Sequence, residues 1–262
     1  MSVVDLKESS PNVWKAVYKS EAGMFLTVVK IDEEETTRPF CSCLSEGSTC
    51  WHVPILQEAV RQHKIISEFE QQPNHNVDDY AQLLRTTLDG MQIDYDDIDD
   101  IFSVDGMDIY IMDYLFDKAR YCVLQNEFDQ AIAICKACIN EYTTWLYLNT
   151  RRCSCFNLDY QDLPFEILRH ILFMFGGEYV EDLLNYSKSE IEKLTYNDDL
   201  VYHCILDLFM EASAMKGSGD FIVFIDKLIH ELGENTVEAR NIVDLKEEYA
   251  RYYNYYHKNK NV

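Results

Sequence analysis

Residues 40–52 read Phe-Cys-Ser-Cys-Leu-Ser-Glu-Gly-Ser-Thr-Cys-Trp-His, and this stretch carries the most informative pattern in the chain. Its cysteines and histidine form a Cys-x-Cys-x6-Cys-x-His array made of Cys41, Cys43, Cys50 and His52. Thiolate sulfur and imidazole nitrogen are the usual ligands of structural zinc, and four of them close a tetrahedral shell that leaves no position for water. The array therefore predicts one structural Zn2+ held by these four residues.

The residues around the array have two different patterns. Residues 14–18 and 24–31 are rich in β-branched and aromatic side chains and are separated by turn-forming residues, which predicts a β-hairpin. Residues 36–41 are expected to add a strand that delivers the first two ligands. From Pro54 onward, apolar residues recur at a spacing of about 3.6, which predicts a helix to Phe69. The metal is thus expected to hold a small sheet against the start of a helix.

This order of strands, Cys-x-Cys, Cys-x-His and helix, over roughly residues 11–70, resembles the SWIM zinc finger. Members occur in bacterial proteins, chromatin-remodelling-type ATPases, Mutator-like transposases and some eukaryotic signalling and recombination proteins. The resemblance implies Cys41, Cys43, Cys50 and His52 as zinc ligands, and a role in DNA binding or protein–protein contact. Family members often have Lys or Arg between the last Cys and His, whereas this chain has Trp51 there and an acidic run at residues 33–35. That difference favours contact with protein over contact with DNA.

The charge balance points the same way. The chain has 46 acidic and 23 basic residues, a formal net charge of -23 over 262 residues, and shows no basic stripe. Affinity for nucleic acid comes mainly from Lys and Arg that displace counterions, so the composition disfavours a non-specific duplex binder. The acidity by itself predicts a well-solvated surface. A basic protein partner, or mimicry of nucleic acid by carboxylates, remains open.

The remainder of the chain is predicted to be helical, with a boundary in the polar segment at residues 71–79 that separates a zinc finger domain (1–74) from a helical domain (75–262). Residues 114–139 read as helix, turn, helix and resemble one tetratricopeptide unit through Ala119, Tyr121, Phe128 and Ala131, but no second copy follows at a 34-residue period. Residues 205–215 and 221–232 form a second predicted pair of helices around residues 217–219. The expected fold class is α+β, mainly α, with a ββ(β)α finger and a helical-hairpin bundle or α-solenoid-like domain.

Two other groups of residues have features of metal sites. Cys135-x-x-Cys138 and Cys153-x-Cys155 have spacings that a second zinc site uses, but the first pair falls on the apolar stripe of a helix, where burial of reduced thiols is favoured. The acidic segment at residues 94–105 is not a calcium loop, because Asp99 replaces the required glycine and Asp105 the required glutamate.

No catalytic motif is present among those for phosphate loops, nucleophile elbows, zinc proteases or kinases, so no enzyme is predicted. The tyrosine-rich C-terminal residues 249–260 are open to two interpretations, a stacking surface for single-stranded nucleic acid or the docking face of a last helix, and the second is favoured. The start of the chain has no apolar signal region, and apolar runs such as residues 171–175 are too short to span a bilayer.

Together these observations predict a zinc-binding, non-catalytic adaptor in the cytoplasm, or in the nucleus of a eukaryote, that docks a protein partner. The alternatives are a nucleic-acid-associated regulator that binds DNA through the finger, and an acidic DNA mimic. No membrane association is expected, and the sequence does not predict the oligomeric state.

Overall fold

The computed structural model describes residues 2–20, 23–32, 35–43, 52–72, 74–89, 110–149, 159–194, 200–233 and 236–258. Within these residues a four-stranded antiparallel sheet is followed by eight helices, which confirms the α+β, mainly α class. The chain divides into two compact units, Met1–Tyr160 and Gln161–Val262. No helix in these ranges is both long and apolar enough to cross a membrane.

The sheet of the first unit contains β1 (Ser2–Ser10), β2 (Val13–Ser20), β3 (Gly23–Asp32) and β4 (Glu35–Cys41), paired in that order. The predicted hairpin is confirmed as β2 and β3, and the predicted additional strand is β4. The sequence patterns did not predict β1. It is an edge strand whose composition is mostly charged and polar, and it pairs with β2 around a turn in which Asn12 adopts a φ of 61°.

One face of the sheet forms a small apolar core with helix α1 (His52–Phe69). Trp14 lies opposite Val29 and Ala16 lies opposite Thr27 in the β2–β3 register, so that these four side chains point to the same face. All four are buried, and Trp14, Ala16 and Val29 cluster with Leu56 and Val60 of α1. The alternation of the strands therefore determines which face α1 covers.

Three more helices complete the described part of the first unit: α2 (Val77–Asp89), α3 (Tyr110–Gln125) and α4 (Phe128–Asn149). Asn76 begins α2 with a reciprocal cap, because its side-chain oxygen accepts the N–H of Asp78 at 2.8 Å while the Asp79 carboxylate accepts the N–H of Asn76 at 2.9 Å. Between α3 and α4 the chain turns at Asn126, which has a φ of 62°. The predicted helix, turn, helix of residues 114–139 is confirmed.

Helix α1 joins the sheet to these helices. Its Arg61 donates to the Thr87 carbonyl of α2 at 2.7 Å, and the side-chain oxygen of Gln62 accepts the N–H of Ile111 in α3 at 2.9 Å. Helix α4 packs against both α2 and α3. The predicted boundary at residues 74/75 thus falls inside the first unit, whereas the observed division lies after Tyr160.

The second unit contains α5 (Asp159–Lys193), α6 (Leu200–Lys216), α7 (Asp220–Leu232) and α8 (Val237–Lys258). The predicted pair of helices around residues 217–219 is confirmed as α6 and α7. Gly217, with a φ of 77°, ends α6, and the next N–H returns to the Ser213 carbonyl at 3.0 Å. Helix α5 bends at Phe175, where φ is -131° and ψ is 17°.

We predict that Leu56→Ala lowers the free energy of unfolding of the first unit by about 2–5 kcal/mol, because it opens a cavity between the sheet and α1. Leu56 is fully buried. Leu124→Ala removes the same atoms from a side chain that is 77% exposed and should cost less than about 0.5 kcal/mol. Urea unfolding of both variants makes the comparison, and equal losses would show that the sheet–α1 contact is not a core.

Candidate metal centre

Three of the four predicted ligands meet in one place. The ligand atoms of Cys41, Cys43 and His52 all lie within 4.8 Å of one another. Cys41 is the last residue of β4, and His52 is the first residue of α1 and is 1% exposed. Cys50 lies outside the described residues, so its place as the fourth ligand stays a prediction. The group can bind a metal ion.

The Cys-x-Cys segment is fixed to the neighbouring strand by its middle residue. The N–H of Ser42 donates to the Leu26 carbonyl at 2.9 Å, and the Ser42 hydroxyl accepts the N–H of Leu26 at 2.8 Å. Both backbone polar groups of Leu26 are therefore used by one serine. This arrangement orients Cys41 and Cys43, which are both half-buried, before any metal is considered.

The separation of the ligand atoms tests whether a metal fits. The Cys41 Sγ atom lies 3.4 Å from Nδ1 of His52, and tetrahedral zinc with the usual Zn–S and Zn–N lengths would separate such atoms by about 3.6 Å. The histidine thus presents Nδ1 to the Cys41 sulfur atom. The donors and their spacing fit a tetrahedral ion.

A residue that the sequence analysis missed supports the first ligand. The Thr27 hydroxyl donates to the Cys41 Sγ atom at 3.2 Å, and Thr27 is fully buried. Hydrogen-bonding partners of metal ligands commonly orient the ligands and tune the site. The role of Thr27 could be found only from the β3–β4 register, in which Thr27 is the partner of Cys41.

The other described cysteines have a different environment. Cys135 and Cys138 are fully buried in α4, and burial raises the pKa of both thiols. Burial, followed by the charge of Glu127, raises the pKa of Cys122 to about 11. These thiols stay protonated near neutral pH. The Cys41–Cys43–His52 group is the one metal-ligand cluster found in the described residues, and Cys153, Cys155, Trp51 and the acidic residues 94–105 lie outside them.

Several of the remaining histidines are held by packing. The His63 ring contacts Trp14 edge-on with centroids 5.2 Å apart, and the His75 ring stacks on Phe69 at 3.7 Å. His257 places Nε2 2.9 Å from a backbone carbonyl of α6. These contacts account for His63, His75 and His257 by packing or hydrogen bonding, outside the metal-ligand cluster.

Comparison with protein-family models, with curated proteins and with solved structures finds no match to this chain. The resemblance to the SWIM finger therefore stays a prediction from the order of elements and the ligand spacing.

We predict that Thr27→Val weakens metal binding by about tenfold or more, since it removes the hydroxyl that donates to Cys41 while keeping the shape of the side chain. Affinity can be measured with Zn2+ against a chelating dye. Thr86→Val, at an exposed position of α2, is the matched control and should leave the affinity unchanged. Equal affinities for the two variants would remove Thr27 from the site.

Proposed function

We propose that this protein is a zinc-binding, non-catalytic interaction protein, in which a SWIM-like finger stabilises the sheet and α1 and the helical remainder docks a protein partner. The observation that carries the proposal is the meeting of Cys41 and Cys43, at the end of β4, with His52, at the start of α1. The ligands thus join two elements that are separate in the chain and in contact in the fold.

Zinc is the proposed metal because of the donor set. Thiolates with an imidazole form the common closed shells of structural zinc sites, and Cys50 would complete the tetrahedron. A closed shell leaves no coordination position for a substrate, so the finger supplies no chemistry in this proposal. The proposed role of the metal is to hold the fold.

The small size of the local core supports that role. The apolar cluster between the sheet and α1 contains Trp14, Ala16, Val29, Leu56 and Val60. Small cores of this kind commonly need a metal or disulfide to become stable, and metal binding is then coupled to folding. None of the cysteines in the described residues forms a disulfide, which supports a reducing compartment, proposed as the cytoplasm or nucleus.

The proposed partner is a protein, and its favoured charge is positive. A net charge of -23 attracts basic surfaces and repels phosphate backbones at long range. The proposed roles of the finger are therefore to stabilise the fold and to contact protein.

We predict about one zinc per chain in protein purified without a histidine tag, measured by elemental mass spectrometry. Cys43→Ser should lose the ion, and so should Cys50→Ser if Cys50 is the fourth ligand, because each change removes a thiolate ligand. Cys204→Ser is the matched control, since Cys204 is also half-buried but belongs to α6. Full zinc content in the Cys43→Ser variant would contradict the site.

We also predict that the zinc-loaded protein forms a stoichiometric complex with a protein partner. Capture from a nuclease-treated extract would identify candidates, and the complex must then be rebuilt from purified components and weighed by light scattering. Gel shifts with single- and double-stranded oligonucleotides should show no binding. Oligonucleotide binding that weakens as salt rises would instead support the nucleic-acid regulator, and a partner displaced by DNA would support the DNA mimic.

A further inference from the structure

The second unit contains an open groove with a volume of about 700 Å³. Helices α5 and α8 supply most of its lining and α6 contributes one carboxylate. This volume is within the range of ligand sites and accommodates several residues of an extended peptide. The lining residues that bear on its chemistry are Glu166, Arg169, Phe173, Glu211, Glu248 and Tyr255.

The C-terminal tyrosines lie on two different sides of α8. Tyr249 is buried and its ring stacks on Phe221 with centroids 5.7 Å apart, so this tyrosine docks the helix as the sequence predicted. Tyr252, Tyr255 and Tyr256 line the groove instead, at the three- and four-residue spacing of one helix face. The packing of α8 therefore leaves an aromatic stripe in an open groove.

These aromatic surfaces are available to a ligand. Tyr255 is 54% exposed, and Phe173 on α5 is 56% exposed. Burial, followed by the charge of Glu211, raises the pKa of Tyr256 to about 12 and also raises the pKa of Tyr252. The hydroxyl groups of Tyr252 and Tyr256 are thus neutral, and the π-faces of aromatic rings attract cations.

Arg169, one of the two arginines that line the groove, is already neutralised. Arg169 donates through Nε to the Glu211 carboxylate at 3.1 Å, and its Nη2 donates to the same oxygen. Its Nη1 lies 3.8 Å from Asp207. Glu211 is 7% exposed, so its carboxylate is held inside the packing of the helices and not at the open surface.

The remaining charges give the groove its sign. Glu166 on α5 and Glu248 on α8 have no ion-pair partner within the residues that the structure describes, and the same is true of Arg251. Carboxylates outnumber guanidinium groups in the lining, and Asp207 adds a further one behind Arg169. A phosphate polymer would meet these carboxylates in a chain whose net charge is -23. Stacking of single-stranded nucleic acid is therefore disfavoured.

We propose that this groove binds an arginine-bearing, basic peptide segment of a partner protein, with a guanidinium group stacked on the Tyr252–Tyr255–Tyr256 stripe and paired with Glu248. Planar guanidinium stacks on aromatic faces and is weakly hydrated, so it suits aromatic rings next to a carboxylate. The inference rests on the proposed role of the helical part as a docking platform and names the place and the partner class.

The experiment compares two neighbouring charges. A fluorescein-labelled nonapeptide of alternating glycine and arginine is titrated with the full chain, and a peptide with citrulline in place of arginine is the uncharged control. Glu248→Gln and Tyr255→Leu should each weaken binding of the arginine peptide by about three- to fivefold. Glu247→Gln removes the same charge from an exposed residue of the same helix outside the groove and should leave affinity unchanged. Thermal melts confirm that the variants fold.

Diffuse attraction would overturn the proposal. Its signs are equal losses in Glu247→Gln and Glu248→Gln, or equal binding of the citrulline peptide. Direct binding of a labelled single-stranded oligonucleotide to the full chain that is lost in Tyr255→Leu would also overturn it in favour of a nucleic-acid surface. If a rebuilt complex with a protein partner forms and its affinity is unchanged by Glu248→Gln and Tyr255→Leu, the groove assignment fails and the adaptor proposal stands. If the peptide binds as expected but the chain holds no zinc, the zinc finger fails and the groove stands.

Discussion

The contact between the side chains of Cys41 and His52 is the constraint on which the first unit depends. The two ligand atoms lie 3.4 Å apart although an unbroken strand precedes one residue and a helix begins at the other. His52 is the first residue of α1, and α1 in turn packs on the sheet and contacts α2 and α3. An ion bound to both residues would link the end of β4 to the start of α1. It would therefore affect the packing of the whole unit and not a loop alone.

In the second unit the comparable constraint is a charge pair whose carboxylate is buried. Arg169 of α5 and Glu211 of α6 bond while the carboxylate is almost fully removed from water, and the hydrogen bond to Glu211 raises the pKa of the arginine. Buried pairs add little net stability, but breaking one is costly, so they favour one arrangement of the helices over others. The same pair occupies Arg169, which leaves Glu166, Glu248 and Arg251 to set the charge that an incoming ligand meets.

Local patterns predicted the elements with strong periodicity or punctuation. The β2–β3 hairpin, the helix after Pro54 and the two helices around Gly217 follow from residue type and turn chemistry. Strand β1 was not predicted because its charged composition does not resemble a half-buried strand. Its pairing with β2 overrides the low strand propensity of these residues. Thr27 and the groove were not predicted for another reason. Both depend on which elements lie side by side in the fold, and local sequence patterns do not specify that arrangement.

The cysteines show why spacing alone is a weak guide to chemistry. Cys135-x-x-Cys138 has a spacing as suitable for zinc as Cys41-x-Cys43, yet the two pairs lie in opposite environments. The first pair is sealed in the α4 core, where burial disfavours the thiolate. The second pair is half-buried at the end of a strand, with a buried imidazole and a donating hydroxyl beside Cys41. Because metal binding requires the thiolate, the polar surroundings of the sulfur, more than the interval between cysteines, distinguish a ligand from a core residue.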